Sequence, residues 1–455
     1  MYYNSSVIGT SMMRAFISII VLFWPLSLCA SEAQEKLTPI HHIIVFYLEN
    51  HSFDNLFGTF PGADGIANAG DKATQTDANN IPYKTLPPVM NGKTADARFP
   101  ANLPNQPFLI TRYVSANDKT ADLLHRFYQN QAQIDGGNMD KFAVTNESGG
   151  LTMGYYEEKD SPLWQYAKRY ALADRFFVAA FGGSILNHFW LICACTPRYE
   201  HAPQDMLSVL DKNGRLLKDG PLSPDGYVIN TIQPASPPFD SRTKDLVHRL
   251  PEQTLPTIGD RLSAKNITWA WYGGGWSDAV NGKTDPSHFF PFHHHPFGYF
   301  ANYAQGTKGR AEHLKDETDF VAAIQNGALP AVSFFKPAGT VDMHPYYTKL
   351  GESQEHVFGL VKAIENSPLW KDSVIIITFD DAGGFWDHVA PPQSDRFGPG
   401  ERIPTLIISP FAKRGFIDHT MYETTSILKL IETKYHLKPL GARDAKANDL
   451  TNALQ

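Results

Sequence analysis

The stretch Ser373–Pro392, SVIIITFDDAGGFWDHVAPP, decides the fold class. Its β-branched apolar run, Val374 to Thr378, reads as a strand buried on both faces, the kind found in parallel sheets covered by helices. That run delivers two adjacent carboxylates, Asp380 and Asp381, onto a Gly-Gly turn. In open α/β sheets ligands bind beyond the carboxyl ends of the strands, which is where this pair falls. Two carboxylates side by side repel unless a cation or a proton lies between them. A metal ion is the simplest resident, and His388 follows seven residues after Asp381. A solvated acidic turn would use the same Asp-Asp-x-Gly-Gly letters.

Similar apolar runs recur on both sides of this stretch, at His42–Leu48, Ile267–Tyr272, Ala331–Phe335 and Ile403–Ser409. Helical spacing of apolar residues marks Glu317–Asn326, Glu355–Asn366 and Thr424–Tyr435, with Ser353 or Glu352 as a cap for the second. Strand alternating with amphipathic helix predicts an α/β three-layer sandwich around a mostly parallel central sheet. The Pro-, Asn- and Gly-rich stretches 60–120 and 197–260 read as long loop insertions around that core. Neither a repeat nor a low-complexity linker divides the chain, so 31–455 reads as a single catalytic domain.

Arg14, the uncharged run Ala15–Ala30 and the change to SEAQEK describe a secretory signal peptide over residues 1–30, cleaved after Ala30. The run is too short, and too broken by Ser and Pro, to span a bilayer, and no other stretch is long enough. The mature chain is therefore expected to be secreted or periplasmic, with no stable transmembrane anchor. Leu28 before Cys29 disfavours a lipoprotein. Net charge is −7, which gives no reason to expect nucleic acid. Cys193 and Cys195, the two cysteines beyond the signal, suit a local disulfide or two buried thiols, so disulfides do not build this fold.

Chemistry-bearing residues gather at the predicted strand ends. His42–Leu48 runs directly into Glu49 and Asn50, which leave the same sheet edge as Asp380 and Asp381. Three carboxylates and an amide oxygen make a hard, oxygen-rich metal site. Asn50 and Ser52 also suit a helix cap. In Phe181-Gly182-Gly183-Ser184-Ile185-Leu186-Asn187-His188, two glycines let the backbone turn and present the Ser184 hydroxyl as a candidate nucleophile. His125, the cluster His293-His294-His295 and His344 are candidate partners; on a strand, at most two of three consecutive histidines could serve one centre. His388, beside Asp387, could equally belong to a supporting pair. His356 and His419 receive no role.

Six ordered motifs carry a family resemblance. They are ENHSFDNLFG (Glu49–Gly58), DLLHRFYQNQAQIDGGNMD (Asp122–Asp140), GGSILNH (Gly182–His188), PFHHHPF (Pro291–Phe297), LPAVSFFKPAG with the His344-Pro345 that follows, and FDDAGGFWDHVAPP (Phe379–Pro392). The tail pieces RIPTLIISPF and TTSILKLIE agree with them. The chain resembles the bacterial acid phosphatase/phospholipase C family, a branch of the alkaline phosphatase-like superfamily, from about residue 40 to 450. The resemblance implies an alkaline phosphatase-like fold and metal ligation by Glu49, Asn50, Asp380 and Asp381. It also implies Ser184 as the nucleophile that takes the phosphoryl group, with His125, His293, His294 and His344 holding phosphate oxygens or serving the leaving group.

Departures are present too. Family members often carry Arg at His51, Asp-Glu-Asn at Asp380-Asp381-Ala382, and in many phospholipases C a threonine at Ser184. The expected activity is metal-dependent hydrolysis of phosphate esters, phospholipid head groups at a membrane surface or soluble phosphomonoesters, through a phosphoserine. The divalent metal ion is zinc, calcium, magnesium or manganese. Loops 60–120 and 197–260, with the aromatic run Trp269–Trp276, are expected to select among substrates. A non-catalytic periplasmic metal- or phosphate-binding protein would need the ligands without Ser184. A sulfatase-like hydrolase would need C/S-x-P-x-R, which GGSILNH lacks.

Overall fold

The computed structural model describes residues 1, 32–239, 245–283 and 289–455. The predicted signal segment, apart from Met1, lies outside the described residues. Eight strands form one sheet: β1 (His42–Leu48), β2 (Ala171–Ala173), β3 (Trp269–Gly273), β4 (Leu314–Asp316), β5 (Val332–Lys336), β6 (Ser373–Phe379), β7 (Thr405–Ile408) and β8 (Phe416–Asp418). Their order across the sheet is β4-β3-β5-β1-β6-β7-β2-β8. Only β7 runs against its neighbours. The centre of the sheet, β5-β1-β6, is parallel and its side chains are almost all buried, as continuous apolar runs require.

Helices cover both faces. The main ones are α1 (Phe53–Phe57), α2 (Phe127–Ile134), α3 (Ser184–Cys193), α4 (Glu317–Gln325), α5 (Leu350–Glu365) and α6 (Thr425–Tyr435). On one face Phe320 of α4 packs against Phe46 and Phe335, ring centroids 5.8 and 4.6 Å away. On the other, His188 of α3 packs against Tyr47 at 4.9 Å and Trp271 at 6.1 Å. The result is the mixed α/β, mostly parallel three-layer arrangement expected from the alternation of strand and helix.

Three strands escaped the sequence reading: β2, β4 and β8 have three residues each, too few to show a period. The expected cap of α5 is corrected as well. The helix begins at Leu350 after Lys349, which makes no side-chain cap, and Ser353 is buried inside the first turns. Leu350 and Val357 sit on the core face, so packing extends the helix toward its amino end beyond the apolar spacing used to find it. The two cysteines are joined as a disulfide at the carboxyl end of α3. Among the described residues no helix is long and apolar enough to cross a membrane.

Candidate functional site

Register fixes the acidic centre. Leu48 of β1 pairs with Phe379 of β6, so Glu49–Asn50 and Asp380–Asp381 leave the sheet side by side, all buried. Gly383 has φ +63°, and a Cβ there would come within 2.3 Å of the Asn50 carbonyl oxygen, so glycine alone lets this turn close on β1. The backbone N–H groups of Asp381 and Gly383 donate to Asp380 Oδ1 and Asp381 Oδ1 at 2.8 and 2.6 Å. Asp380 Oδ2 and Asn50 Oδ1 are buried with no hydrogen bond among the described residues. Buried oxygens left unpaired are costly, and two of them beside three carboxylates fit a hard divalent cation. Asn50 does not cap α1; Ser52 does, accepting from Asn55 N at 3.1 Å.

Ser184 is the first residue of α3, and its hydroxyl donates toward Glu49 Oε2 and Asp381 Oδ2, both 3.2 Å away. Two glycines place it there. Gly182 has φ +81°, and a Cβ on it would lie 2.5 Å from Phe127 N. The segment carrying His125 can therefore lie directly against the Gly-Gly bend. The amino end of α3 also offers unpaired N–H groups and a positive dipole end, favourable for an anion.

Above Ser184 opens a cavity of about 400 Å³. His125, His293, His294 and His344 all line it, as do Glu49, Ser184 and Asp342. The histidine cluster forms a 3-10 turn, Phe292–His294, rather than a strand. His295 turns away and stacks on Trp276 at 4.0 Å. His294 Nε2 lies 3.0 Å from Glu49 Oε1, and the rings of His125 and His344 meet edge to face at 5.9 Å. His125 is anchored by Nδ1 on the Leu123 carbonyl at 2.5 Å, and its Nε2 lies 3.2 Å from the Asn50 amide nitrogen.

Electrostatics separates these groups. Burial pushes the Asp381 carboxyl up to about 6, against the opposing pull of His125. Burial, then the Glu49 charge, raises Asp342 to about 8 and holds Asp380 well above the carboxylate range. Burial opposes ionisation of Glu49, but His294 and Lys336 outweigh it and keep Glu49 low. Burial likewise lowers His293, His294 and His344, the last to about 4. His125 alone of the four is raised: burial opposes, and the Asp381 and Asp122 carboxylates prevail.

Several residues here had no assigned role. Lys336, at the end of β5 and 1% exposed, bonds Glu49 Oε1 and lies 3.5 Å from Asp380 Oδ2. Its signal was legible: a lysine ending an apolar strand run, as Glu49 does. His188 Nδ1 donates to the Ser184 carbonyl at 2.7 Å and stands 3.6 Å from Asp380 Oδ2. Met343, between Asp342 and His344, has φ +79°, a strained conformation that sequence spacing does not reveal. His51 lies under the site, 2.6 Å from Asn55 Oδ1 and stacked on Phe385 at 5.6 Å.

One expectation is corrected, and the role of His388, left open between the metal site and a supporting pair, is resolved. The aromatic run Trp269–Trp276 does not face the cavity: Trp269, Trp271 and Trp276 are buried in the core behind it, because β3 is an inner strand. The exposed aromatics near the mouth are Phe289, Tyr346 and Tyr347, with ring centroids 5.9 Å (Phe289–Tyr347) and 5.1 Å (Tyr346–Tyr347) apart. His388, for its part, bonds Asp54 at 2.6 Å in a separate buried cluster.

The profile of the Phosphoesterase family matches residues 40–438. Phospholipase C B of Mycobacterium tuberculosis is 23% identical over 91% of this chain and 78% of its own length. Phospholipase C A of the same organism is 24% identical over 92% and 77%. The non-hemolytic phospholipase C of Pseudomonas aeruginosa is 22% identical over 98% of this chain and 61% of its own. Among solved structures, a protein in the alkaline phosphatase superfamily from Vibrio parahaemolyticus is similar at TM-score 0.33 and 12% identity, covering 70% of this chain and 67% of that one. Murine ectonucleotide pyrophosphatase/phosphodiesterase 5 is similar at TM-score 0.35 and 11% identity, covering 65% and 95%.

Proposed function

This chain belongs to the phosphoesterase family, and on that premise we propose that it is a secreted, metal-dependent phospholipase C working through a phosphoserine at Ser184. One observation carries the reading: the Ser184 hydroxyl, at the start of α3, meets Glu49 and Asp381 at 3.2 Å on the floor of a histidine-lined cavity. Glu49, Asn50, Asp380 and Asp381 would hold a divalent cation, which lowers the pKa of the serine hydroxyl and neutralises phosphoryl charge. Ser184 Oγ, its proton released to solvent, bonds to phosphorus as the bond to the lipid alkoxide breaks. His293 and His344, kept neutral by burial, donate N–H groups to phosphoryl oxygens, while His294 holds Glu49 Oε1 through Nε2 at 3.0 Å. His125, the histidine with the raised pKa, gives the alkoxide its proton through Nε2 and later receives one from the attacking water. That water splits the phosphoserine, Ser184 Oγ regains a proton from solvent, and the head-group phosphate is released.

The exposed rings of Phe289, Tyr346 and Tyr347 favour a lipid surface at the mouth, where aromatic side chains combine apolar area with a polar edge. A metal- or phosphate-binding protein would have no use for a hydroxyl so placed. Ser184→Ala is expected to lower turnover at least about 10³-fold with metal content unchanged; substantial residual activity would overturn the nucleophile. For the substrate, the Phe289→Ser/Tyr346→Ser protein is assayed on phosphatidylcholine vesicles and on p-nitrophenyl phosphate. A rate loss confined to vesicles supports the phospholipid; equal losses, or none, favour a soluble phosphomonoester.

A further inference from the structure

The stretch 197–260 carries a two-stranded hairpin, Val209–Leu210 and Leu216–Lys218, that the catalytic centre does not use. At its turn Asp211 Oδ1 accepts from Asn213 N at 2.8 Å and Arg215 N at 2.9 Å, so this carboxylate is spent on the backbone. Lys212 and Arg215 are exposed and take part in no ion pair among the described residues. Apolar side chains stand out beside them. Leu217 of the hairpin is 68% exposed and Leu246 69%, and Val209 and Val247 are exposed with them. Two ties join the pieces: Lys218 Nζ donates to the Asp205 carbonyl at 2.8 Å, and His248 Nε2 lies 2.9 Å from Asp205 Oδ2. The turn Leu246–His248 is thereby held to the hairpin.

The hairpin is rooted in the cavity wall. Asp219, the residue after Lys218, accepts from Arg126 Nε at 2.6 Å, Gln129 Nε2 at 2.9 Å and Asn230 Nδ2 at 3.1 Å. Arg126 and Asn230 line the cavity above Ser184. Leucines so exposed gain nothing in water. Beside two unpaired cations they match the two forces that hold a protein at an anionic bilayer. Apolar side chains enter the headgroup boundary, and Lys and Arg are drawn to the charged lipid. Charge also selects among partners. The whole chain carries −7, so an anionic bilayer repels it except where a local group of cations makes the contact. A second copy of the chain, related by a two-fold axis, would set the same cations against each other.

We propose that the hairpin 209–218, with the turn Leu246–His248, docks this chain on a bilayer that contains anionic phospholipid. This rests on the phospholipid reading above, and its test reads binding rather than turnover. Ser184→Ala protein is sedimented with vesicles of phosphatidylcholine, alone and mixed with phosphatidylserine. The mixed vesicles should bind it more tightly. Lys212→Ala/Arg215→Ala should weaken that binding about 30-fold and remove the preference for mixed vesicles. Leu217→Ser/Leu246→Ser should weaken binding to both kinds. With Ser184 restored, each pair should leave p-nitrophenyl phosphate turnover unchanged, which also checks the fold. Both pairs binding mixed vesicles as tightly as the parent would overturn the proposal, as would a parent protein that binds neither kind. So would a dimer, seen by sedimentation equilibrium, that Leu217→Ser/Leu246→Ser dissolves without changing vesicle binding. Should a variant not fold, a nitrobenzoxadiazole label on Leu217→Cys keeps the test. Its emission should shift to the blue on mixed vesicles, and no shift would overturn the docking. Vesicles bound by the wild-type protein but left unhydrolysed would support the docking and overturn the phospholipase reading instead.

Discussion

Two buried clusters in this molecule have nearly the same ingredients and different properties. One is Glu49, Asp380 and Asp381 with Lys336; the other is Asp54, Asp387 and His388 with Arg402. Each brings carboxylates and a cation out of water next to the ends of β1 and β6. In the second, both oxygens of each aspartate are satisfied. Arg402 donates to Asp387 Oδ1 at 2.8 Å and Oδ2 at 3.2 Å and to Asp54 Oδ1 at 3.3 Å, while His388 Nδ1 lies 2.6 Å from Asp54 Oδ2. Arg402 also reaches the carbonyls of Asp64 and Asp174, both at 2.8 Å. In the first cluster Asp380 Oδ2 and Asn50 Oδ1 have no hydrogen bond among the described residues, and the cavity opens onto Ser184. A planar guanidinium saturates its partners; a single ammonium does not. What separates a structural ion network from a candidate metal centre here is the supply of open lone pairs, not the residue types.

That contrast can be broken by exchanging what each cluster loses. Asp380→Asn/Asp381→Asn should abolish metal uptake and lower turnover at least about 10³-fold, with little loss of thermal stability, because it removes like-charge repulsion. If metal content and activity survive, the first cluster is structural too. Arg402→Met should do the reverse. Leaving buried aspartates uncompensated costs about 3–5 kcal/mol, read as a lowered denaturation midpoint, while the folded fraction keeps its metal. A stability change below about 1 kcal/mol would show that Arg402 is dispensable.

Smaller effects sharpen the comparison by pH. With Asp381 raised to about 6 in the metal-free protein, a cation must displace a proton below that pH. Apparent metal affinity should then fall by up to about tenfold per pH unit beneath 6, and Asp380, also held well above the carboxylate range, adds its own proton to that dependence; calorimetric titration across pH 5–8 checks this. Next to both clusters Glu401, which accepts from Asn130 at 2.5 Å, is pushed up to about 8 by burial. Its folded pKa exceeds the unfolded one, so the fold favours the acid form. The resulting penalty is absent near pH 4.5, grows as pH rises, and is complete above pH 8. Glu401→Gln removes the penalty. It should be neutral near pH 4.5 and stabilising by about 1 kcal/mol or more at pH 8.5, and a thermal shift that does not vary with pH would refute the assignment.

Much of the central fold was legible because long apolar runs have few other places to go. His42–Leu48 and Val374–Phe379 lie where the letters put them, and two strand ends bearing Glu49 and Asp380 belong to the same edge if the sheet is parallel. Short strands left no periodic trace, and β7 reverses direction for reasons of connection that its own four residues do not carry. The cluster His293–His295 reads alike at all three positions. Backbone shape alone sends His295 to Trp276 and leaves the other two at the cavity.

By itself the sequence determined which chemistry was available: acidic strand ends, a glycine-framed hydroxyl and a surplus of histidines, all local properties of residue type and spacing. Tertiary structure alone decided how that chemistry was divided. Asp380 and Asp387 are seven residues apart in one motif, yet one is left with an open oxygen and the other is closed by Arg402. Such partners come from distant segments, and the satisfaction of a buried lone pair is a property of the assembled neighbourhood.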